Sequence, residues 1–388
     1  MSSKDAVIVS AVRSPMGKSG KGLLNNMRID DLGALIIKAA MARVPQVNAD
    51  EIEDVILGCA MPEGEQGMNI ARNISLLAGL PKTAAAVTVN RFCASGLESI
   101  NTAALHIMAG NDGIYIAGGV ESMSHVPMGG FNPSLNEKFF QPGMPEAYIS
   151  MGITAENVAA KYGVTREDQD KFAFASHQKA TRARESGAFK NELIPVEVLL
   201  PDGKKTILDF DENVRPDATL EKLASLKPAF KEGGSVTAGN SSPLTDGAAI
   251  VVMMSAEKAK QLGLKPLARI RAMAVAGCDP AFMGMGPVPA VKKALKRAGM
   301  SIKDIDIIEL NEAFAAQALG VLRELGADMD RVNPNGGAIA IGHPLGCSGG
   351  RIMTTLINGL QARNKTIGIE TMCIGGGQGA ATIIERLS

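Results

Sequence analysis

Tryptophan is absent from the 388 residues, tyrosine occurs three times, and aromatics together make up 4% of the chain. Surfaces that bind by stacking, on nucleobases or on sugar rings, need repeated flat side chains, so this composition argues against both. Net charge is missing too: 40 basic residues stand against 40 acidic ones, and the general electrostatic pull of a nucleic-acid binder is not there. A local anion pocket stays open. The five cysteines, Cys59, Cys93, Cys278, Cys347 and Cys373, are an odd set without a CxxC pair, which argues against a zinc ribbon and a disulfide framework. With four histidines, no HxxxH-like pair and no acidic cluster, metal ligation is rejected. No apolar run reaches the roughly eighteen residues of a membrane span. The start, Met1-Ser2-Ser3-Lys4-Asp5, carries no signal or transit pattern. The expectation is a reduced, soluble, cytoplasmic protein.

Apolar and small residues are plentiful. A 46% hydrophobic content with 43 glycines suits closely packed helices and narrow, backbone-lined channels, and the length predicts two or three domains. Residues 6–12 read as a buried strand and Ile29–Arg43 as an amphipathic helix. Further strands are expected at 54–58, 86–90 and 113–117, with helices at 69–77 and 93–107. From 123 to 245 the alternation breaks down into Pro- and Gly-rich texture with one helix at 166–186, which reads as an inserted loop domain. Strand pattern returns at 247–254. The last third repeats the β and α logic, with strands at 267–274, 306–310, 366–372 and 380–384 and helices at 288–298, 313–325 and 351–361.

The two parts can be laid over each other by matching Asp54-Val55-Ile56-Leu57 to Asp306-Ile307-Ile308-Glu309. Cys93 then lies 39 residues after Asp54, and His343 lies 37 after Asp306. A duplicated fold would place Cys93 and His343 at equivalent turns of its halves.

Four segments at predicted strand ends concentrate reactive or permissive groups: the Cys93 turn, Asn311-Glu312-Ala313-Phe314, the Gly-rich run 336–351 around His343, and Cys373-Ile374-Gly375-Gly376-Gly377-Gln378-Gly379. A helix start lowers the cost of negative charge on a thiol, which suits Cys93 to be a nucleophile, although a buried structural cysteine is the commoner fate of a free thiol and stays open from the residues alone. A nucleophilic thiol needs a base, and His343, framed by Gly and Pro, is the best-placed histidine. His106 reads as packing or surface, and His125 and His177 fall in the insert. Asn311 suits orienting a water or donating to an oxygen, and Glu312 suits holding an imidazole, the plain alternative being a helix cap. The glycines after Cys373 leave N–H groups free for an oxyanion. CIGGGQG does not match the dinucleotide or P-loop patterns. Cys59, Cys278 and Cys347 read as structural.

Together, VNRFCASGLES, GNSSPLTDGAA, NEAFAAQ, GGAIAIGHPLGCSGGR and CIGGGQGAA resemble, in order and spacing over essentially the whole chain, the motifs of the thiolase family. The resemblance implies the α/β thiolase fold, a duplicated five-layered αβαβα arrangement. The N-terminal half would be residues 1–120 plus 246–264, the CoA-binding loop domain 121–245 and the C-terminal half 265–388. It also implies that Cys93 becomes acylated and His343 activates it. Cys373 would be the second acid and base. Asn311 would hold a water that forms one oxyanion hole with His343, while the N–H groups of Cys93 and Gly375 form the other. Arg215 would lie near the CoA nucleotide, Met151, Phe230, Ala238 and Ser242 along the pantetheine tunnel, and Phe314 by the reacting end. CoA would enter as substrate, with no metal or organic cofactor.

Arg91-Phe92 before the nucleophile and Ser150 before Met151 resemble the degradative branch, which cleaves 3-ketoacyl-CoA in fatty-acid β-oxidation. The alternative is the biosynthetic branch, which makes acetoacetyl-CoA from two acetyl-CoA. Cys373 in its CxGGGxG setting argues against a decarboxylating or HMG-type condensing synthase. Retention of Cys93, Asn311, His343 and Cys373 together argues against a non-catalytic acyl-CoA binder. The family resemblance further implies a homodimer or homotetramer, in some members joined to a hydratase/dehydrogenase subunit.

Overall fold

Strand β1 (Ala6–Arg13) is apolar at nearly every position because both of its faces are covered: Val7, Val9 and Val12 enter one core while Ala6, Ile8 and Ala11 enter another. The protein is seen here as a computed structural model describing residues 2–200 and 202–388. After β1 come β2 (Gly17–Lys18), α1 (Ile29–Ala42), β3 (Ile52–Gly58), α2 (Ile70–Leu77), β4 (Ala85–Val89), α3 (Ser95–Ala109) and β5 (Ile114–Ser122). The chain then crosses α4 (Met151–Tyr162), α5 (Arg166–Glu185), a hairpin of β6 (Val196–Leu199) and β7 (Lys205–Leu208), and α6 (Leu220–Ala224). It returns through β8 (Thr245–Ser255) and α7 (Ala256–Gln261). The last part holds β9 (Ala268–Gly277), α8 (Pro287–Ala298), β10 (Ile307–Leu310), α9 (Ala315–Leu325), α10 (Ala338–Ile341), α11 (Ser348–Ala362), β11 (Ile367–Ile374) and β12 (Gln378–Arg386).

The main sheet runs β10-β11-β12-β9-β1-β8-β5-β3-β4, with β2 on β8. Its pairings repeat. Reading outward from β1, β8 and β5 are joined antiparallel, and β5, β3 and β4 parallel. Reading from β9, β12 and β11 are joined antiparallel, and β11 and β10 parallel. A single parallel bridge from Ile308 to Val332 marks where the counterpart of β4 would run. Within the sheet, the halves join where β1 meets β9, at Val7 with Arg269 and Ile8 with Ala268.

Core membership gives the layers. Helices α1 and α2 pack on the outer face of the first half through Ile36, Ile37, Ile70 and Ile74. Helices α3 and α11 fill the middle through Leu97, Ile100, Ile352 and Leu356. Helices α8 and α9 cover the second half through Val291, Leu295, Val321 and Leu322. This is the five-layered αβαβα order expected.

The regular strands fall close to their expected positions. Helix α9 begins at Ala315 instead of Ala313, because Phe314 is extended (φ −144°, ψ 144°) and bridges Ser241. Helix α11 begins at Ser348, three residues before expectation. Between 123 and 245 the expected helix α5 is present, closed by a Thr165–Asp168 capping box, and α4 and the β6–β7 hairpin are additions to the reading.

Candidate active site

Cys93 lies in the short turn between β4 and α3. Phe92 adopts φ +43°, a conformation costly for a bulky residue, and local bonds hold it there. Phe92 N donates to Asn90 Oδ1 (2.8 Å), while Ser95 Oγ accepts from Arg91 N (2.9 Å) and donates to Phe92 O (2.7 Å). Helix α3 starts two residues after Cys93, and α11 five after His343, neither with a side-chain cap among the described residues. Glycine lets these helix starts touch backbone to backbone. A Cβ on Gly96 would stand 2.7 Å from Gly346 O, and one on Gly349 would collide with Leu97 N. The positive ends of two helices therefore meet at the turns carrying Cys93 and His343.

His343 is 5% exposed and fixed from several sides. Its N donates to Thr245 Oγ1 (3.2 Å), its Nδ1 lies 2.5 Å from Ser348 Oγ, and its Nε2 lies 3.2 Å from Asn311 Nδ2. Ser348 Oγ donates to Pro344 O (2.9 Å), so it accepts from His343 Nδ1–H. That assignment, made from the hydrogen-bond network, leaves the Nε2 lone pair toward Asn311. Asn311 Oδ1 is buried and finds no hydrogen-bond partner among the described residues.

Cys373 ends β11, fully buried in an apolar cluster with Ala155, Met283, Ala313 and Phe314. The backbone N–H groups of Gly375 and of Cys93 itself favour negative charge on the Cys93 sulfur. Arg91 ties the two thiol turns together: it grips Glu98 with two bonds of 2.9 Å and reaches Gln378 Oε1 at 3.3 Å.

The electrostatic setting keeps the group neutral. Burial pushes the Cys93 thiol up to about 11, against the pull of the Gly375 and Cys93 N–H groups. Burial also pushes Cys373 well up, and the neighbouring Cys93 adds to it. His343 is held down to about 3 by burial first and the Arg351 charge second. These directions favour neutral thiols and a neutral imidazole over a thiolate–imidazolium pair.

The expected CoA contacts gather in two places. Met151 Sδ and the Phe92 ring stand beside Gly375, 3.6 and 3.8 Å from where its Cβ would be. Phe314 packs with Cys373, and Phe230 meets Phe314 edge to face at 5.8 Å. Arg215 and Ala238 line a separate narrow cleft with His177, Ser241 and Ile339. Ser242 joins the two through its N–H to Ala313 O (3.0 Å).

Glu312 corrects its expectation. It does not hold an imidazole: its oxygens accept from Ser176 Oγ (2.7 Å), Asn333 Nδ2 (2.7 Å) and Ile339 N (3.2 Å). The imidazole partner is Ser348, five residues after His343 inside a motif already singled out. Thr245 and Glu121 were missed as well, since they act on backbone groups. The other histidines lie elsewhere: His106 stacks on Tyr115, His125 bonds Glu65 and Asn25, and His177 Nδ1 accepts from Arg215 N. Among the described residues, no three His, Cys, Asp or Glu side chains are placed to hold a metal, and no helix is long and apolar enough to cross a membrane.

Two thiols, an imidazole and an amide brought to the strand ends of a duplicated αβαβα fold define an α/β acyltransferase. The chain belongs to the thiolase family: the pattern described as "Thiolase, N-terminal domain" matches residues 6–257, and "Thiolase, C-terminal domain" matches 264–386. It is 53% identical over 390 residues to a "3-ketoacyl-CoA thiolase" of Marinomonas sp. (strain MWYL1), covering 99% of this chain and 98% of that one. It is also 53% identical over 394 residues to a protein of the same name from Bacillus subtilis (strain 168), covering 98% and 99%. The crystal structure of the Bacillus anthracis acetyl-CoA acetyltransferase superposes with a TM-score of 0.90 at 41% identity, covering 99% of both chains.

Proposed function

We propose that this chain is a 3-ketoacyl-CoA thiolase, cleaving 3-ketoacyl-CoA with CoA to acetyl-CoA and a shortened acyl-CoA through an acyl-cysteine at Cys93. The supporting observations are Cys93 neighbouring Cys373, the His343–Asn311 pair, and the backbone contact between the helix starts that carry Cys93 and His343. As the Cys93 sulfur attacks C3 of the substrate, its proton passes to His343 Nε2, and the new oxyanion is held by the N–H groups of Cys93 and Gly375. The C2–C3 bond then breaks. Its electrons collect on the thioester as an enolate, held on the side of protonated His343 and Asn311. Cys373 gives its proton to C2, and acetyl-CoA leaves. The Cys373 thiolate next takes the proton of an incoming CoA thiol, whose sulfur attacks the acyl-cysteine. Cys93 departs and regains its proton from His343.

Arg215, Ala238, Ser242, Met151, Phe230 and Phe314 are assigned to CoA, with residues 121–245 as its loop domain between halves 1–120 plus 246–264 and 265–388. Cytoplasmic action and a homodimer or homotetramer belong to the same reading. The free edge of β4, with Val87 exposed and Met68, Leu76 and Leu77 exposed nearby, supports self-association. The printed names of the relatives at 53% identity favour the degradative branch over acetoacetyl-CoA synthesis. A chain-length series of kcat/KM in the thiolysis direction tests this. Loss of ketoacyl-CoA absorbance with short and long chains supports it, acetoacetyl-CoA as sole substrate favours the biosynthetic branch, and no loss at any length rejects both.

A further inference from the structure

His343 sits within residues 337–346, and two buried carboxylates take hold of the backbone on either side of it. Glu312, 2% exposed, accepts from Ile339 N (3.2 Å), the second residue of α10, which ends just before His343. It is itself pinned by Ser176 Oγ of α5 (2.7 Å) and Asn333 Nδ2 (2.7 Å), and Asn333 also clasps Leu310 through both its amide atoms at 2.9 Å. Ser176 Oγ accepts from Gly337 N (3.0 Å), so α5 meets the same stretch. On the other side Glu121, 1% exposed, accepts from Gly346 N (2.7 Å). It also accepts from Ala60 N (2.7 Å), Met61 N (3.2 Å) and Gln66 Nε2 (3.0 Å), with Cys59 Sγ at 3.7 Å.

Every group facing the two carboxylates is a donor. Burial pushes both carboxyls up, and the donors pull the other way: Glu312 accepts three hydrogen bonds and Glu121 four, and a protonated carboxyl would place its own O–H against one of these donors. Glu312 directly follows Asn311, so fixing Glu312 to Ile339 also fixes the Asn311 turn relative to the element that delivers His343. Glu121 belongs to the other half of the fold and ties the same loop to the strand ends beside the Cys93 turn. The contacts join parts of the chain far apart in sequence and run through backbone N–H groups, which a rotamer change cannot supply.

We propose that Glu312 and Glu121 are positioning residues: a two-point carboxylate clamp on residues 337–346 that sets His343 Nε2 against Asn311 and Cys93. The proposal rests on the thiolase reading for its effect on rate, and on geometry alone for its effect on His343. An amide in place of either carboxylate keeps the volume, but turns an NH2 group against Asn333 Nδ2 or Ile339 N at one site and against backbone N–H groups at the other.

The test compares Glu312→Gln, Glu121→Gln and the milder Ser176→Ala with the unaltered full chain. Expected for the two Gln variants is a kcat lower by about tenfold to a hundredfold with KM for CoA changed less than about twofold. The downfield proton resonance of His343 Nδ1–H against Ser348, followed in histidine-labelled protein, should also shift or broaden. Ser176→Ala keeps the carboxylate grips on Ile339 N and Gly346 N but removes the Gly337 N bond and one donor to Glu312, and should show a smaller loss in the same direction, which decides the matter if a Gln variant does not fold. Folded variants with unchanged kcat and an unmoved resonance overturn the proposal, as does a raised KM for CoA at unchanged kcat. If the unaltered protein shows no thiolysis, the functional reading fails, and the resonance alone decides the clamp.

Discussion

Asn311 Nδ2 stands 3.2 Å from His343 Nε2, joining the end of β10 to the loop after α10 in one polar unit. An amide donor held against the atom that takes the proton also stabilises negative charge arising beside it. Asn311→Ala should lower kcat by about a hundredfold to a thousandfold and leave KM for CoA nearly unchanged. Steady-state thiolysis reads both, and an effect confined to KM would refute the assignment.

The two cysteines should separate by half-reaction. Cys93→Ala is expected to remove acyl-enzyme formation and turnover together. Cys373→Ala should leave Cys93 alkylation by iodoacetamide near the original rate while turnover falls by about a thousandfold. Mass spectrometry of the labelled protein checks the first effect and steady-state rates the second. Equal labelling with equal turnover would contradict the role given to Cys373.

His343, depressed to about 3, and His177, depressed to about 4, are neutral in the folded protein where their unfolded counterparts titrate near 6.5. Their folded values lie below the unfolded ones, so the unfolded state binds more protons in that window. Stability is full above pH 6.5 and is lost as pH falls toward 4 and then 3, at up to about 1.4 kcal/mol per pH unit for each group. Cys93 works in the opposite direction, costing stability between pH 9 and about 11. Thermal melts should fall on both sides of a neutral plateau, and His177→Asn should flatten the acid limb. An unchanged acid limb would refute the burial argument for His177.

Gly96→Ala should act on activity more than on folding. The added methyl would press on Gly346 O at 2.7 Å and Gly350 N at 2.9 Å, forcing the starts of α3 and α11 apart and with them Cys93 and His343. A loss of kcat of about tenfold or more with a change in melting temperature of only a few degrees is expected. Wild-type kcat in this variant would show that the spacing is not critical.

Arg13 anchors the first strand to the insert. It is fully buried and paired with Glu192 (2.7 Å) and Asp211 (2.7 and 3.0 Å). Arg13→Met would leave two buried carboxylates without their ion-pair partner, at a cost of about 3–5 kcal/mol. Urea denaturation measures it, and a loss below about 1 kcal/mol would mean that the carboxylates protonate at little cost.

The parts legible in the sequence are those with dense local signals. Strands such as β8, buried at every position, announce themselves as apolar runs, and the four strand-end motifs carry their own glycines. Helix α4 gives little pattern because its buried face, Gly152, Thr154, Ala155, Glu156, Val158 and Ala159, has Val158 as its one large apolar side chain. The hairpin β6–β7 is only four residues per strand. Glu312 was misread because its partners Ser176 and Asn333 lie far off in the chain, and a buried carboxylate among donors has no local pattern. Arg351 sits at the end of a quoted motif, yet its complete burial and its charge on His343 depend on helix packing that no spacing reveals.

The repeat of strand pairings gives each strand end a twin. Gly58 registers with Gly119, and Leu310 with Thr371, so Cys59 corresponds to Asn311 and Glu121 to Cys373. Two separate identical subunits would be bound to place the same residue at both strand ends. Joined in one chain, the halves are free to differ: one end grips a neighbour's backbone with a carboxylate while its twin offers a thiol. The protein is, in effect, a heterodimer written in a single gene, and its asymmetry lets one crevice hold both the tool and the vice.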